Sequence, residues 1–136
     1  MLSNESYFRA AALSGGAAVL LGAFGAHALR ETFTLDAAAG GRSRAVFETA
    51  SHYHLAHALA LALAAAASPP APAPAPASCA LLLSGTVLFS GSLYLLAVMP
   101  SQRWLGAVTP IGGLLLVGGW LALAGQTLHL HGARRS

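Results

Sequence analysis

Between Arg9 and Arg30 the chain carries no Asp, Glu, Lys or Arg, and the run is mostly Ala, Leu and Gly. Because a helix rises about 1.5 Å per residue, roughly 20 predominantly apolar residues are needed to cross about 30 Å of hydrocarbon. Runs of that length therefore predict spanning helices, and four segments qualify: 10–29, 46–67, 77–99 and 104–125. The second carries Glu48, His52, His54 and His57 in its first half, while the third and fourth hold no charged side chain. The expected fold is all-α, an integral membrane four-helix bundle forming one domain over residues 1–136.

Composition agrees. Of the 136 residues, 8% are charged and 56% hydrophobic, where a soluble domain is about a quarter charged. All seven basic residues are Arg, set singly or in pairs at the edges of the apolar runs. Phosphate binding needs a concentrated basic surface, so nucleic acid is excluded as a partner and the lipid bilayer takes its place. Cys79 is the only cysteine, which rules out an intrachain disulfide and a Cys-based zinc cluster.

Between the second and third segments, residues 68–76 form an Ala/Pro linker. Its repeated prolines remove amide donors and favour extended polyproline geometry, so it reads as a spacer. Pro100-Ser101-Gln102-Arg103 makes a tight turn before Trp104, a residue suited to the membrane interface. Arg9, the following apolar run and Ala26-His27-Ala28 also resemble a cleavable signal peptide. The run exceeds the roughly 7 to 15 residues of a signal core, so a retained first helix is expected. Arg9, Arg134 and Arg135 fall on one side of the membrane, and Arg30, Arg42, Arg44 and Arg103 on the other. The first loop's three Arg tilt loops one and three toward the cytoplasm.

Helices in lipid associate through close backbone approach at small residues and through polar contacts. Ala18, Gly22 and Ala26 form one such row, and Ala77, Ser84, Gly91 and Val98 form a heptad stripe on the third segment. Gly112, Gly113, Gly118 and Gly119 punctuate the fourth.

The polar residues within the spans mark the candidate site. At about 100° per residue, Glu48, Ser51, His52 and Leu55 share one helix face, while His54 and His57 lie on roughly the opposite one. One ion cannot be held by all three histidines, so a metal would have to use His54 and His57 with ligands from another helix. No carboxylate or cysteine completes a recognisable shell around that pair. Entering at Val46, the second helix carries His57 about 16 Å deep, near the midplane, where an imidazole needs a partner. His52 and His54 lie nearer the surface, where interfacial water satisfies them. Depth places His27, Ser90, Tyr94 and Thr109 in the same half of the membrane, a one-sided polar layer with His57 as its floor. A through-going ion path needs polar positions at every depth, so the layer predicts either helix register locks or a half-membrane pocket. Glu48 is spaced to pair with Arg44 or His52.

No Ser sits in a G-x-S-x-G turn, no carboxylate is placed to orient His57, and phosphate-cradling loops are missing. The chain is therefore not expected to be an enzyme, and no cofactor is implied.

Five stretches in order, GAFGAHAL (22–29), FETASHYHLAHALAL (47–61), LFSGSLYLL (88–96), LGAVTPIGG (105–113) and GW (119–120), resemble the domain of unknown function 423 family. These are small bacterial membrane proteins similar to animal transmembrane protein 256. The resemblance runs from about Gly15 to Gly125. It implies a multi-span protein of the bacterial inner (plasma) membrane, a retained first helix and no established biochemical role. Positions that match its motifs include His27, Thr49, Tyr53, His57, Ser90, Gly91, Ser92, Tyr94, Thr109, Pro110 and Gly113. The Ala/Pro linker departs from the short connection that the resemblance implies. Two function classes follow. One is a structural or accessory membrane subunit with a protein partner or a second copy of itself. The other is a binding or transport-like module for a metal ion, a proton or a small polar ligand.

Overall fold

The computed structural model describes residues 2–27, 29, 37–68 and 76–133, with 37–40 and 127–133 described by their backbone alone. Four helices follow one another: α1 (Asn4–His27), α2 (Ala37–Ala66), α3 (Ala77–Val98) and α4 (Leu105–Ala133). Among the described residues there is no strand. Most of the Ala/Pro linker, Ala28, Arg30, Arg134 and Arg135 lie outside the described residues, as do the side chains of His129 and His131.

Each helix overlaps most of its expected apolar segment, and α1 and α2 begin earlier than hydropathy predicts. Ser3 caps α1: its Oγ accepts the Ser6 amide at 3.1 Å and its carbonyl accepts the Tyr7 amide at 3.0 Å. One turn on, Arg9 pairs with Glu5. These contacts propagate the helix through a polar stretch that apolar length alone does not reveal. At the start of α2, Arg44 Nε donates to Glu48 at 2.8 Å, which settles the partner of Glu48 in favour of Arg44 over His52.

Helix ends follow the prolines. Ser68, before Pro69 and Pro70, returns its hydroxyl to the Ala64 carbonyl at 2.6 Å and closes α2. Met99 caps α3 through its amide to Leu95 O, and Pro100 begins the turn. Trp104 Nε1 donates to Gln102 Oε1 at 3.1 Å in that turn, with the indole exposed. Pro110 lies inside α4 and has no amide proton for the carbonyl of Gly106.

Three helices are long and apolar enough to cross a membrane, Asn4–His27, Ala77–Val98 and Leu105–Gln126. The sequence predicts α2 as the remaining span, and it falls short of this apolarity because Glu48 and three histidines lie across its middle. Its packing nonetheless places it inside the bundle, antiparallel to α1: Gly25 abuts Phe47, Gly22 abuts Ser51 and Gly15 abuts Ala58. Each helix packs on the next in sequence, and among the described residues α1 and α4 share no broad contact. The result is a folded row of antiparallel helices with α2 and α3 inside.

The α3–α4 seam is the tightest. Ser92 faces Thr109, Phe89 faces Gly112, Gly85 faces Leu116 and Leu82 faces Gly119, so three- and four-residue steps alternate along both helices. At Gly112 an added Cβ would stand 2.4 Å from the backbone nitrogen of Phe89, so only glycine lets the two backbones come this close. The heptad stripe predicted on α3 is corrected here. Ala77, Ser84 and Val98 point outward, and the contact face is offset to Ser78, Leu82, Gly85 and Ser92.

One apolar cluster draws on all four helices, with Tyr7 and Ala11 of α1, Leu61 and Ala64 of α2, Cys79 and Leu82 of α3, and Leu123 of α4. A second, at the other end, centres on Phe47 and Ala97 with Tyr94 against it. Many large apolar side chains face outward, Leu13 at 77% exposure and Leu114 at 73% among them. Lipid is their solvent in a spanning helix.

Candidate functional site

The half of the bundle that holds the polar residues contains three separate arrangements instead of one layer. The first is built on His54. Its Nε2 lies 2.9 Å from Ser14 Oγ on α1 and its Nδ1 lies 3.3 Å from the Tyr94 hydroxyl on α3. A neutral imidazole has one donor and one acceptor nitrogen, and both hydroxyls can play either role, so the chain Ser14–His54–Tyr94 satisfies itself. It ties three helices together. Tyr94 is held by the edge of Phe47, ring centres 4.9 Å apart, and Ser51 adds a 3.3 Å bond from its hydroxyl to the Ala18 carbonyl.

The second is the Ser92–Thr109 pair, hydroxyl to hydroxyl at 2.8 Å across the α3–α4 seam. Both hydroxyls also lie within bonding distance of a carbonyl of their own helix, Phe89 O and Leu105 O. Such sharing lets a hydroxyl cross to a neighbouring helix without losing its local partner.

The third is His57, 7% exposed, with Nδ1 2.7 Å from the Tyr53 carbonyl one turn back. A carbonyl can only accept, so the proton sits on Nδ1 and the Nε2 lone pair of the neutral ring is an acceptor. The Tyr53 ring stacks on the imidazole at 5.6 Å and the Trp120 edge approaches at 6.1 Å. With Phe89, Pro110 and Val117 these residues line a groove of about 660 Å³ between α2, α3 and α4 that opens to the outer face.

The expected layer of His27, His57, Ser90, Tyr94 and Thr109 is thus dispersed. His27 is exposed at the last residue of α1. Ser90 is 2% exposed and its Oγ has no hydrogen-bond partner. Tyr94 serves His54, and Thr109 serves Ser92. The metal candidates His54 and His57 turn to different helices, His54 to Ser14 and Tyr94, His57 to Trp120. Among the described residues no group of three His, Cys, Asp or Glu is placed to hold a metal ion. His52 stays exposed, as expected, and borders a small pocket of about 100 Å³ with Gly22, Gly25 and Arg44.

The apolar half carries one lock of its own. Gln126 Oε1 accepts the Ser78 hydroxyl at 2.9 Å, and its Nε2 donates to Ala64 O and Ser68 Oγ, both at 3.3 Å. One amide thereby joins α2, α3 and α4. Depth alone did not find Ser14 or the role of Gln126, since a lone hydroxyl or amide in an apolar run gives no sign of which neighbour it reaches.

Spanning helices held by buried hydroxyl, imidazole and amide contacts, with apolar side chains on the outside, define a small integral membrane protein. The chain belongs to the family described as "Protein of unknown function (DUF423)", which it matches over residues 21–113. A UPF0382 membrane protein of Staphylococcus epidermidis (strain ATCC 12228 / FDA PCI 1200) is 39% identical over 89% of this chain and 93% of its own. The UPF0382 inner membrane protein YgdD of Escherichia coli (strain K12) is 42% identical over 81% of this chain and 79% of its own. No solved structure matches the chain. The protein is an integral membrane protein of this family.

Proposed function

We infer that the protein is a non-enzymatic structural or accessory subunit of a membrane assembly. The observation that supports this reading is the hydrogen bonding between polar side chains of different helices. Ser14, His54 and Tyr94 engage one another, as do Ser92 and Thr109, and Gln126 with Ser78. Side chains spent on helix contacts are not free for a reacting substrate. The outward apolar residues of α1 and α4, Leu20 at 73% exposure among them, leave a broad flank for another subunit or a second copy. The test is the mass of the native particle in several mild detergents. One defined mass above the 13.7 kDa monomer, with a partner in fixed ratio, is expected. Monomer alone in every detergent refutes the reading.

A second reading, a binding or transport-like module, is favoured by a buried imidazole outside those contacts, that of His57. His57 offers a single acceptor nitrogen to a groove, which suits a small ligand better than a metal ion. His57→Leu is then expected to abolish ligand-dependent thermal stabilisation and leave helical content unchanged. A thermal shift that the variant retains refutes it.

A further inference from the structure

We propose that the groove beside His57 binds the reduced, hydroxyl-bearing headgroup of a membrane-soluble aromatic alcohol, a hydroquinone with an apolar tail. The proposal rests on the reading of the protein as a binding module. Three observations define the ligand.

The first is the hydrogen-bond demand. His57 is 7% exposed, its Nδ1 proton is engaged by Tyr53 O, and among the described residues no group bonds its Nε2, which opens on the groove. An acceptor that faces lipid in place of water and has no donor is costly, by about 1 to 3 kcal/mol. Only a donor fills it. Nδ1 and Nε2 lie on opposite sides of the ring, so with Nδ1 turned back to its own helix, Nε2 faces the groove that His57 lines.

Charge is the second. The groove is lined by aromatic, aliphatic, Pro and Gly residues around His57, with no Arg, Lys, Asp or Glu. A phospholipid phosphate would meet an acceptor nitrogen and no cation, so an anionic headgroup is disfavoured. A metal would find one ligand. A neutral hydroxyl meets neither difficulty.

The third is shape. Tyr53, Phe89 and Trp120 give the groove aromatic walls, with Tyr53 and Phe89 at 4.8 Å and Trp120 edge-on to the imidazole. Such walls suit a flat ring, by offset or edge contacts. Tyr53 and Trp120 are each 46% exposed, and Val117 57%, so the groove is open at the lipid-facing side where a tail would leave. The same donor requirement sets a preference between oxidation states. A quinone carries two acceptor carbonyls and has no proton for Nε2, so the reduced form binds and the oxidised form is rejected.

Trp120 is a built-in reporter, because the chain has only one other Trp, Trp104. The experiment is equilibrium titration of the Trp104→Phe protein in detergent, kept anaerobic. The probes are a hydroquinone with a ten-carbon tail, its dimethyl ether, the matching quinone and farnesol. Saturable Trp120 quenching by the hydroquinone is expected, with the ether and the quinone weaker by about tenfold, the worth of one buried hydrogen bond. His57→Phe, which keeps an aromatic ring and removes the acceptor, is expected to weaken the hydroquinone to the level of the ether. The probe comparison uses one protein, so it stands even if that variant fails to fold. Equal binding of hydroquinone and ether overturns the hydroxyl contact. Farnesol binding as tightly as the hydroquinone overturns the aromatic headgroup. The parent reading has a separate readout, a rise in melting temperature on adding native lipid extract that His57→Phe abolishes. That rise without a hydroquinone response overturns the ligand class alone, and no rise removes both.

Discussion

Substituting Gly112 by Ala tests the packing of the α3–α4 seam most directly. The new Cβ would stand 2.4 Å from Phe89 N, 2.8 Å from Phe89 Cα and 2.9 Å from Leu88 C. All three are backbone atoms, so no rotamer change relieves the clash and the helices must part. Restoring an ordinary contact of 3.4 Å requires about 1 Å of separation. Overpacking of this kind costs about 1 to 3 kcal/mol. The same movement stretches the Ser92–Thr109 contact from 2.8 Å beyond bonding range, and an interhelical hydrogen bond in lipid adds about 0.6 kcal/mol. Against this stands the helix propensity of Ala over Gly, up to about 1 kcal/mol. Gly91→Ala receives the same propensity gain on α3 and meets nothing within 4 Å, so the difference between the two variants isolates the clash. Unfolding in mixed micelles, followed by circular dichroism, is expected to place Gly112→Ala about 2 to 3 kcal/mol below Gly91→Ala. Equal stability of the two would refute the close-approach account of the seam.

Two further substitutions test the polar contacts. Tyr94→Phe keeps the ring against Phe47 and removes only the hydroxyl at His54, so the same unfolding assay is expected to show a loss of about 0.6 kcal/mol, and a double-mutant cycle with His54→Ala to show coupling. Gln126→Leu removes three bonds across α2, α3 and α4 at once. Its loss is expected to reach about 1 to 2 kcal/mol, and Ser78→Ala in the Gln126→Leu background should add nothing further.

Much of the architecture is legible in the sequence because lipid imposes a length. Runs 10–29, 77–99 and 104–125 are apolar for as long as the hydrocarbon is thick, and helices cover most of each. Helix starts are less legible where local polar contacts set them: Ser3 and the Glu5–Arg9 pair begin α1 ahead of its apolar run. Azimuth is least legible of all. In a soluble helix the buried face announces itself by period, because water and core differ. On α3 both surroundings are apolar: Leu82 is fully buried while Val87 is 64% exposed, and nothing in residue type tells them apart. That is why the stripe of Ala77, Ser84 and Val98 faces outward instead of toward α4. Depth survives this loss, since a count along the helix fixes it. It places His57, Tyr94 and Thr109 in one half of the membrane, and it cannot say that Tyr94 turns to His54 and Thr109 to Ser92.

The least apolar helix is also one of the two held on both sides. Alone in lipid, α2 would expose His54 and His57 to a medium that offers neither donor nor acceptor, a cost of several kcal/mol per unsatisfied group. Its neighbours remove part of that cost, Ser14 from α1 and Tyr94 from α3, and its own Tyr53 carbonyl serves one nitrogen of His57. Polarity that weakens α2 as an independent span therefore fixes its two neighbours against it, and the helix hydropathy ranks last becomes the centre of the fold. Tyr94 and Ser14 need α2 in place to have a partner, and α2 needs them to remain in lipid, so the two interfaces form together. The Nε2 of His57 stands outside this exchange, where the bundle opens into a groove between α2, α3 and α4.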